Sequence, residues 1–306
     1  MKRLALGAVL LLALALPVVA ADHPLLVTPE WLAERLGRAD VRIVDISDAE
    51  DYARGHIPGA VHVDFAETRA QASEGVFRVP TAEEGRRLMA QLGITPETTV
   101  VLYDDEGSLH AAWLFLVLDV LGHSRVSVLD GGAQRWRAGG GAWTTTVPPA
   151  PASGSLSTPH VSADRVAGAA WVRERLGRRD VALVDARTPE EFAGRDVRSR
   201  RGGHIPGALN VEWNRHLRPD GTFRPLAELR RMYIAEGITP DKTVVTYCQT
   251  HHRAAHTYFV LRLLGYPRVV AYTGSWAEWG NRPDLPVDVG GPDMAPHTPQ
   301  RSARPE

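Results

Sequence analysis

Val181-Ala182-Leu183-Val184-Asp185, followed by Phe192 and then by Gly203-His204-Ile205-Pro206-Gly207-Ala208, repeats an earlier part of the same chain. The earlier copy reads Val41-Arg42-Ile43-Val44-Asp45, then Tyr52, then Gly55-His56-Ile57-Pro58-Gly59-Ala60. The match continues in order. Gly93-Ile94-Thr95-Pro96 returns as Gly237-Ile238-Thr239-Pro240, and Thr99-Val100-Val101-Leu102-Tyr103 returns as Thr243-Val244-Val245-Thr246-Tyr247. Arg125-Val126 then matches Arg268-Val269, and Trp136 matches Trp279. Blocks that recur in a fixed order are the mark of a duplicated unit.

Each copy alternates short β-branched runs, such as Val41 to Val44, Val100 to Leu102 and Val126 to Leu129, with longer amphipathic stretches. The latter include Thr81 to Leu92, Ala111 to Leu121 and Ala254 to Leu264. That alternation argues for α/β domains with a parallel sheet covered on both faces. Ligands bind beyond the carboxyl ends of such strands, which directs attention to the residues after Tyr103 and Tyr247.

Between the copies, Pro148-Pro149-Ala150-Pro151-Ala152-Ser153-Gly154-Ser155 has linker composition and no hydrophobic period. The copies are therefore drawn as 22–147 and 160–289, with a linker over 148–159 and a polar, Pro-rich tail over 290–306. The 306 residues suffice for two domains with cores of their own. An apolar content of 44% with 23% charged residues excludes a wholly disordered or fibrous chain. A formal net charge of -1 gives no bulk attraction to nucleic acid or to an anionic membrane, so any anion must be held by a local site.

Lys2 and Arg3, the uncharged run Leu4 to Leu16, Pro17 and the small residues Ala20 and Ala21 read as a secretory signal peptide over 1–21. The apolar run is shorter than the ~20 residues a spanning helix needs, and no cysteine lies near the cleavage point to carry a lipid. The mature protein is expected in the periplasm or outside the cell, with no membrane anchor. Cys248 is the single cysteine, so no intramolecular disulfide forms.

Cys248 follows the run Thr243 to Tyr247 directly, and Gln249-Thr250-His251-His252-Arg253 leads into a helix expected from about Ala254. The sulfur then faces a helix amino terminus, whose unpaired N–H groups and dipole favour an anion. Arg253, and His251 or His252 when protonated, act in the same direction. Inert burial is the commoner fate of a free cysteine, but three basic residues within five positions speak for a reactive one.

These motifs resemble those of the two-domain rhodanese sulfurtransferases, the thiosulfate and mercaptopyruvate enzymes, over nearly the whole mature chain. One family signature, an aromatic residue and then His-Ile-Pro-Gly-Ala, is present at Tyr52 with His56 to Ala60 and at Phe192 with His204 to Ala208. The closing signature is similar to Tyr272-Thr273-Gly274-Ser275-Trp276-Ala277-Glu278-Trp279, with Thr273 a departure from the usual residue types. The resemblance implies an α/β protein with two rhodanese-like domains in tandem, each a mainly parallel sheet flanked by helices on both faces. It also implies that the first copy is silent, because Asp104 stands where the second has Cys248.

The activity implied is a double displacement. Cys248 attacks the outer sulfur of a small anionic donor such as thiosulfate, sulfite leaves, and the resulting persulfide passes its sulfur to cyanide or a thiol. Glutathione, a reduced thioredoxin-like protein or a selenium compound suits the acceptor role equally. The N–H groups of residues 249 to 253 would surround the terminal sulfur, with Gln249, Thr250, His251, His252 and Arg253 binding the substrate and no metal or organic cofactor required. In Asp185-Ala186-Arg187, Arg187 matches the family arginine that binds the donor's anionic end; pairing with Asp185 or Glu190 alone is the structural alternative. Mercaptopyruvate enzymes place a second arginine before the aromatic of this segment, where this chain has Glu191, so thiosulfate is the expected donor. Arg195, Arg198, Arg200 and Arg201 read as solvated charges of an exposed loop.

Other clusters have plainer readings. His56 and His204 are expected to hydrogen-bond within their turns. Cys248 with His251, His252 and His256 fits no common zinc spacing. Trp113, Trp136, Trp276 and Trp279 suit packing, and Asp104 and Asp105 suit an exposed loop. Two rival functions remain. Related phosphatases have five residues between Cys and Arg, against four here between Cys248 and Arg253, and the shorter loop suits a single sulfur better than a phosphate. A non-catalytic sulfur carrier is the other, and a mercaptopyruvate enzyme the alternative within the class. Two domains packed together suffice for a monomer.

Overall fold

The computed structural model describes residues 23–150 and 161–290. The signal-peptide segment, most of the linker and nearly all of the polar tail lie outside the described residues. In the first half the elements are β1 (Leu26–Val27), α1 (Pro29–Ala33), β2 (Val41–Asp45), α2 (Ala49–Arg54), β3 (Val61–His62), β4 (Ala70–Ser73), β5 (Val76–Arg78), α3 (Ala82–Gln91), β6 (Thr99–Tyr103), α4 (Leu109–Val120), β7 (Val126–Leu129) and α5 (Gly132–Ala138). The second half runs β8 (Val166–Ala167), α6 (Ala169–Arg173), β9 (Val181–Asp185), α7 (Pro189–Phe192), β10 (Leu209–Asn210), α8 (Leu226–Ala235), β11 (Thr243–Tyr247), α9 (His252–Leu263), β12 (Val269–Tyr272) and α10 (Ser275–Trp279).

Each half builds a five-stranded parallel sheet, β1-β7-β6-β2-β3 and β8-β12-β11-β9-β10, with the same order strand for strand. The register is shared too: Val44 pairs Leu102 in one sheet and Val184 pairs Thr246 in the other. All five residues of β6 are buried, which is why it reads as a continuous β-branched run. The antiparallel hairpin of β4 and β5 is peculiar to the first half; at the matching place the second has a single bridge between Leu217 and Phe223.

The helix that follows each central strand departs from the sequence expectation. α3 is a half-buried amphipathic helix, fixed at its start by a capping box in which Thr81 and Glu84 satisfy each other's backbone N–H. By contrast α4 is buried from His110 to Val120 and α9 from Ala254 to Leu261, because the two helices pack on one another between the halves. One core cluster accordingly holds residues of both halves. Side chains meet in step along the pair, from His110 with His252 (ring centroids 4.8 Å) through Phe115 with Phe259 (4.9 Å) to the Tyr258 hydroxyl donating to Asp119 at 2.7 Å. The amino termini of α4 and α9 therefore lie at the same end of the interface, and residues of the first half stand beside the loop that carries Cys248.

Candidate active site

Cys248 directly follows β11 and is 1% exposed, its side chain packed among Ala186, Ala254 and Trp213. The loop turns through His251, whose φ of 67° lies in the left-handed region, and α9 begins at His252, two residues earlier than expected from the sequence. Neighbouring elements hold the loop in place. The Cys248 N–H donates to Ser275 Oγ at 3.3 Å, the Cys248 carbonyl accepts from the Trp276 N–H at 2.9 Å, and the Gln249 carbonyl accepts from the Ala277 N–H at 2.9 Å. Ser275 escaped the sequence reading as a site residue, although it is the small residue of the closing signature. It adopts φ 51°, as does its counterpart Gly132, and its hydroxyl in turn donates to the Tyr272 carbonyl at 3.0 Å. The Gln249 amide donates to the Arg198 carbonyl and to Ser199 Oγ, both at 3.2 Å, and Thr250 is half-buried beside it.

The histidines of the loop are not cations. His251 is completely buried and bonds the Tyr272 carbonyl through Nδ1 at 3.0 Å; burial pushes it down to about 3. His252 is stacked against Phe65 at 4.3 Å, and burial, reinforced by His110 and Arg69, lowers it to about 2. The expectation that either adds positive charge to the loop is thereby corrected: desolvation outweighs the gain from a nearby anion. His256 faces His216 instead, with Nδ1 atoms 3.2 Å apart.

Two arginines of the site are committed to carboxylates. Arg253 grips Glu191 through both nitrogens at 2.6 and 2.8 Å, and Glu191 is fully buried. Burial alone would raise that carboxyl; the Arg253 fork, helped by the Thr188 N–H, overrides it and holds Glu191 at about 2. Arg187, 1% exposed, donates from Nε to both oxygens of Asp185 at 3.0 and 3.1 Å and from Nη2 to Asp185 Oδ2 at 2.6 Å and the Gly203 carbonyl at 2.7 Å. Its guanidinium lies over Trp276 at 4.6 Å. Arg187 thus makes the pairing with Asp185 that the structural alternative named, through Nε and Nη2.

Of the inserted arginines, Arg195 pairs with Glu190 and Arg198 with Asp196 in solvent, as expected of a surface loop. Arg201 departs from that reading: it donates to the carbonyls of Leu285 and Trp279 at 2.8 and 2.9 Å and ties down the segment after α10. His56 and His204 bond the carbonyls of Tyr52 and Phe192 at 3.0 and 2.8 Å and stack on those same rings. All four tryptophans named above are buried.

The first half shows how a loop of this kind surrounds an acceptor, although burial pushes the Asp104 carboxyl up from its ordinary value. Asp104, at the position of Cys248, is 1% exposed rather than exposed as expected. Its Oδ1 accepts the N–H groups of Glu106 and Ser108 at 3.0 and 2.8 Å, and its Oδ2 accepts that of Ala111 at 2.8 Å. Ser108 has the φ of 67° seen at His251, but the run from Asp104 to Ser108 is one residue longer than that from Cys248 to His251, which makes room for a carboxylate. Gly132 lets the Asp104 carbonyl approach so closely that a Cβ there would lie 2.2 Å from it.

A first-half residue that the sequence reading missed also bears on the site. Arg69, at the end of the turn Phe65–Thr68, lies 3.4 Å over the Phe77 ring, with Phe65 at 4.9 Å and Trp113 at 5.9 Å. Burial lowers its pKa, and charge on Cys248 opposes that shift.

A family model described as the rhodanese-like domain matches this chain twice, over residues 28–139 and 168–282. The thiosulfate sulfurtransferase of Pseudomonas aeruginosa is 43% identical over 271 residues, covering 89% of this chain and 99% of that protein. That of Azotobacter vinelandii is 41% identical, covering 88% and 98%. The sulfur carrier protein TtuD of Thermus thermophilus is 39% identical, with the same coverages of 88% and 98%. Among solved structures, EanB with a cysteine persulfide in a tetrahedral intermediate state with ergothioneine superposes with a TM-score of 0.78 at 27% identity, covering 88% of this chain and 71% of that one.

Proposed function

The chain belongs to the rhodanese-like family, with two copies of the domain, and from that premise we propose that it is a thiosulfate sulfurtransferase working through a Cys248 persulfide. It moves the sulfane sulfur of thiosulfate to a thiophilic acceptor. The sulfur of Cys248 attacks the outer sulfur of thiosulfate, the bond between the two thiosulfate sulfurs breaks, and its electron pair leaves with sulfite. The persulfide keeps the negative charge on its terminal sulfur. An acceptor, cyanide or a thiol, then attacks that sulfur and restores Cys248.

The observation that carries this reading is the Asp104 carboxylate held by three backbone N–H groups in the matching loop. A loop whose backbone N–H groups converge on two buried carboxyl oxygens in one copy supports the same convergence on a persulfide sulfur in the other, where the side chain at that position is a thiol. Ser275 and the backbone of α10 position Cys248, and the Arg253–Glu191 pair fixes the start of α9. Glu191 also supports thiosulfate over mercaptopyruvate, because it neutralises Arg253 and leaves no pair of arginines for a carboxylate substrate. Turnover of both donors with cyanide as acceptor, followed as thiocyanate, tests the reading: thiosulfate should give the higher kcat/KM, and an equal or better mercaptopyruvate value would overturn the assignment. The apolar leader Leu4 to Leu16 supports export of the mature chain to the periplasm or beyond, which cell fractionation tests.

A further inference from the structure

Resting on the sulfurtransferase reading of Cys248, we infer that Arg69, from the silent copy, is the cation that receives the anionic end of the sulfur donor. Three guanidinium groups bear on the Cys248 loop. Arg187 is neutralised by Asp185 and Arg253 by Glu191. Among the described residues Arg69 has no carboxylate within ion-pair distance, and its Nε and Nη2 atoms are buried with no hydrogen-bond partner.

A buried guanidinium with unsatisfied N–H groups is costly unless something accepts them. The rings of Phe77, Phe65 and Trp113 attract its positive charge across their faces but offer no acceptor in the plane of the fork. They also hold that plane fixed, with Nε and Nη2 left without a protein acceptor. A sulfo group, with two oxygens side by side, fits such a fork as a carboxylate does.

Position agrees with chemistry. Phe65, on which Arg69 lies, is itself stacked on His252 of the cysteine loop, and Trp113 meets His251 edge-on at 6.3 Å. Arg69 and its platform come from the turn Phe65–Thr68, from β5 and from α4, all in the first half, and the β4–β5 hairpin has only a single-bridge counterpart in the second. The copy without a cysteine thus supplies the site with the one free positive charge that the second copy, with both its arginines paired, does not provide among the described residues.

The test uses Arg69→Gln and Arg69→Lys in the full chain, with two readouts. The first is kcat/KM for thiosulfate, expected to fall roughly tenfold or more in the glutamine variant and to recover in part with lysine. The second is alkylation of Cys248 by iodoacetate relative to neutral iodoacetamide. Loss of an anion site lowers the iodoacetate rate more than the iodoacetamide rate, so their ratio falls, whereas a purely structural change in the loop shifts both together and leaves the ratio unchanged. Unchanged thiosulfate kinetics, or an unchanged ratio, in a folded glutamine variant overturns the inference. Where that variant does not fold, Arg69→Lys decides by the same readouts: weaker thiosulfate use with a lowered iodoacetate-to-iodoacetamide ratio supports it, and wild-type values on either overturn it. A wild type that fails to turn over thiosulfate sinks the underlying reading instead, and the alkylation ratio still judges Arg69 as an anion site.

Discussion

Glu191 and Arg253, 62 residues apart, meet fork to fork through hydrogen bonds of 2.6 and 2.8 Å, with the carboxylate fully buried. Glu191 sits at N3 of α7, where it also closes the capping box with Thr188. One carboxylate therefore joins the start of α7 to the start of α9, and the arginine within the cysteine loop is an internal brace rather than a free cation.

Glu191→Gln should destabilise the fold by about 3 kcal/mol, the cost of leaving a buried guanidinium without its partner. Glu191 is held at about 2, below the ordinary 4.5, so its contribution is complete above pH 4.5 and is lost as pH falls through the folded value. Urea titrations should show a constant deficit in the variant at neutral pH that shrinks in acid. A deficit independent of pH would show that the pair is not its source.

The buried histidines act with the opposite charge bookkeeping. His251 and His256 are each lowered to about 3 by burial, so they stay neutral in the folded chain while the unfolded chain takes up protons below about 6.5. Their contribution to stability is complete above that value and declines as pH falls toward the folded values, by roughly 2 kcal/mol per histidine between pH 7.5 and 5. His251→Asn, which keeps a donor for the Tyr272 carbonyl, should flatten this dependence; a slope equal to that of wild type would place the protonation elsewhere.

Asp104→Ala removes the acceptor of three backbone N–H groups in the silent copy. It should cost about 3 kcal/mol in denaturant unfolding, because buried donors are left unsatisfied. Thiosulfate kinetics at Cys248 should stay near wild type, since Asp104 belongs to the other loop. A large kinetic loss without a loss of stability would give Asp104 a direct part in the reaction.

The repeat, the two parallel sheets and the cysteine at the end of β11 were legible because continuous β-branched runs and turn residues are local properties that duplication printed twice. What the sequence concealed depends on contacts between distant segments. The amphipathic reading of Ala111 to Leu121 and Ala254 to Leu264 failed since these helices face each other, and a helix buried on every side leaves no polar stripe to be read. His251 and His252 looked like cations in a basic loop because one-dimensional spacing carries no desolvation. Arg187 and Arg253 are named from the sequence as donor-binding residues, but spacing shows nothing of the buried carboxylates Asp185 and Glu191 that pair with them. Arg69 was invisible because it reaches the loop across the interface, and no repeat of the second half points to it.

The central claim is that sulfur travels on Cys248, and intact-protein mass spectrometry after thiosulfate tests it most directly. The wild-type chain should gain the mass of one sulfur, located by peptide mapping at Cys248 and lost on addition of cyanide, while Cys248→Ser gains none and produces no thiocyanate. A wild-type chain that turns over thiosulfate without ever carrying sulfur on Cys248, or a serine variant that still turns over, would contradict the account.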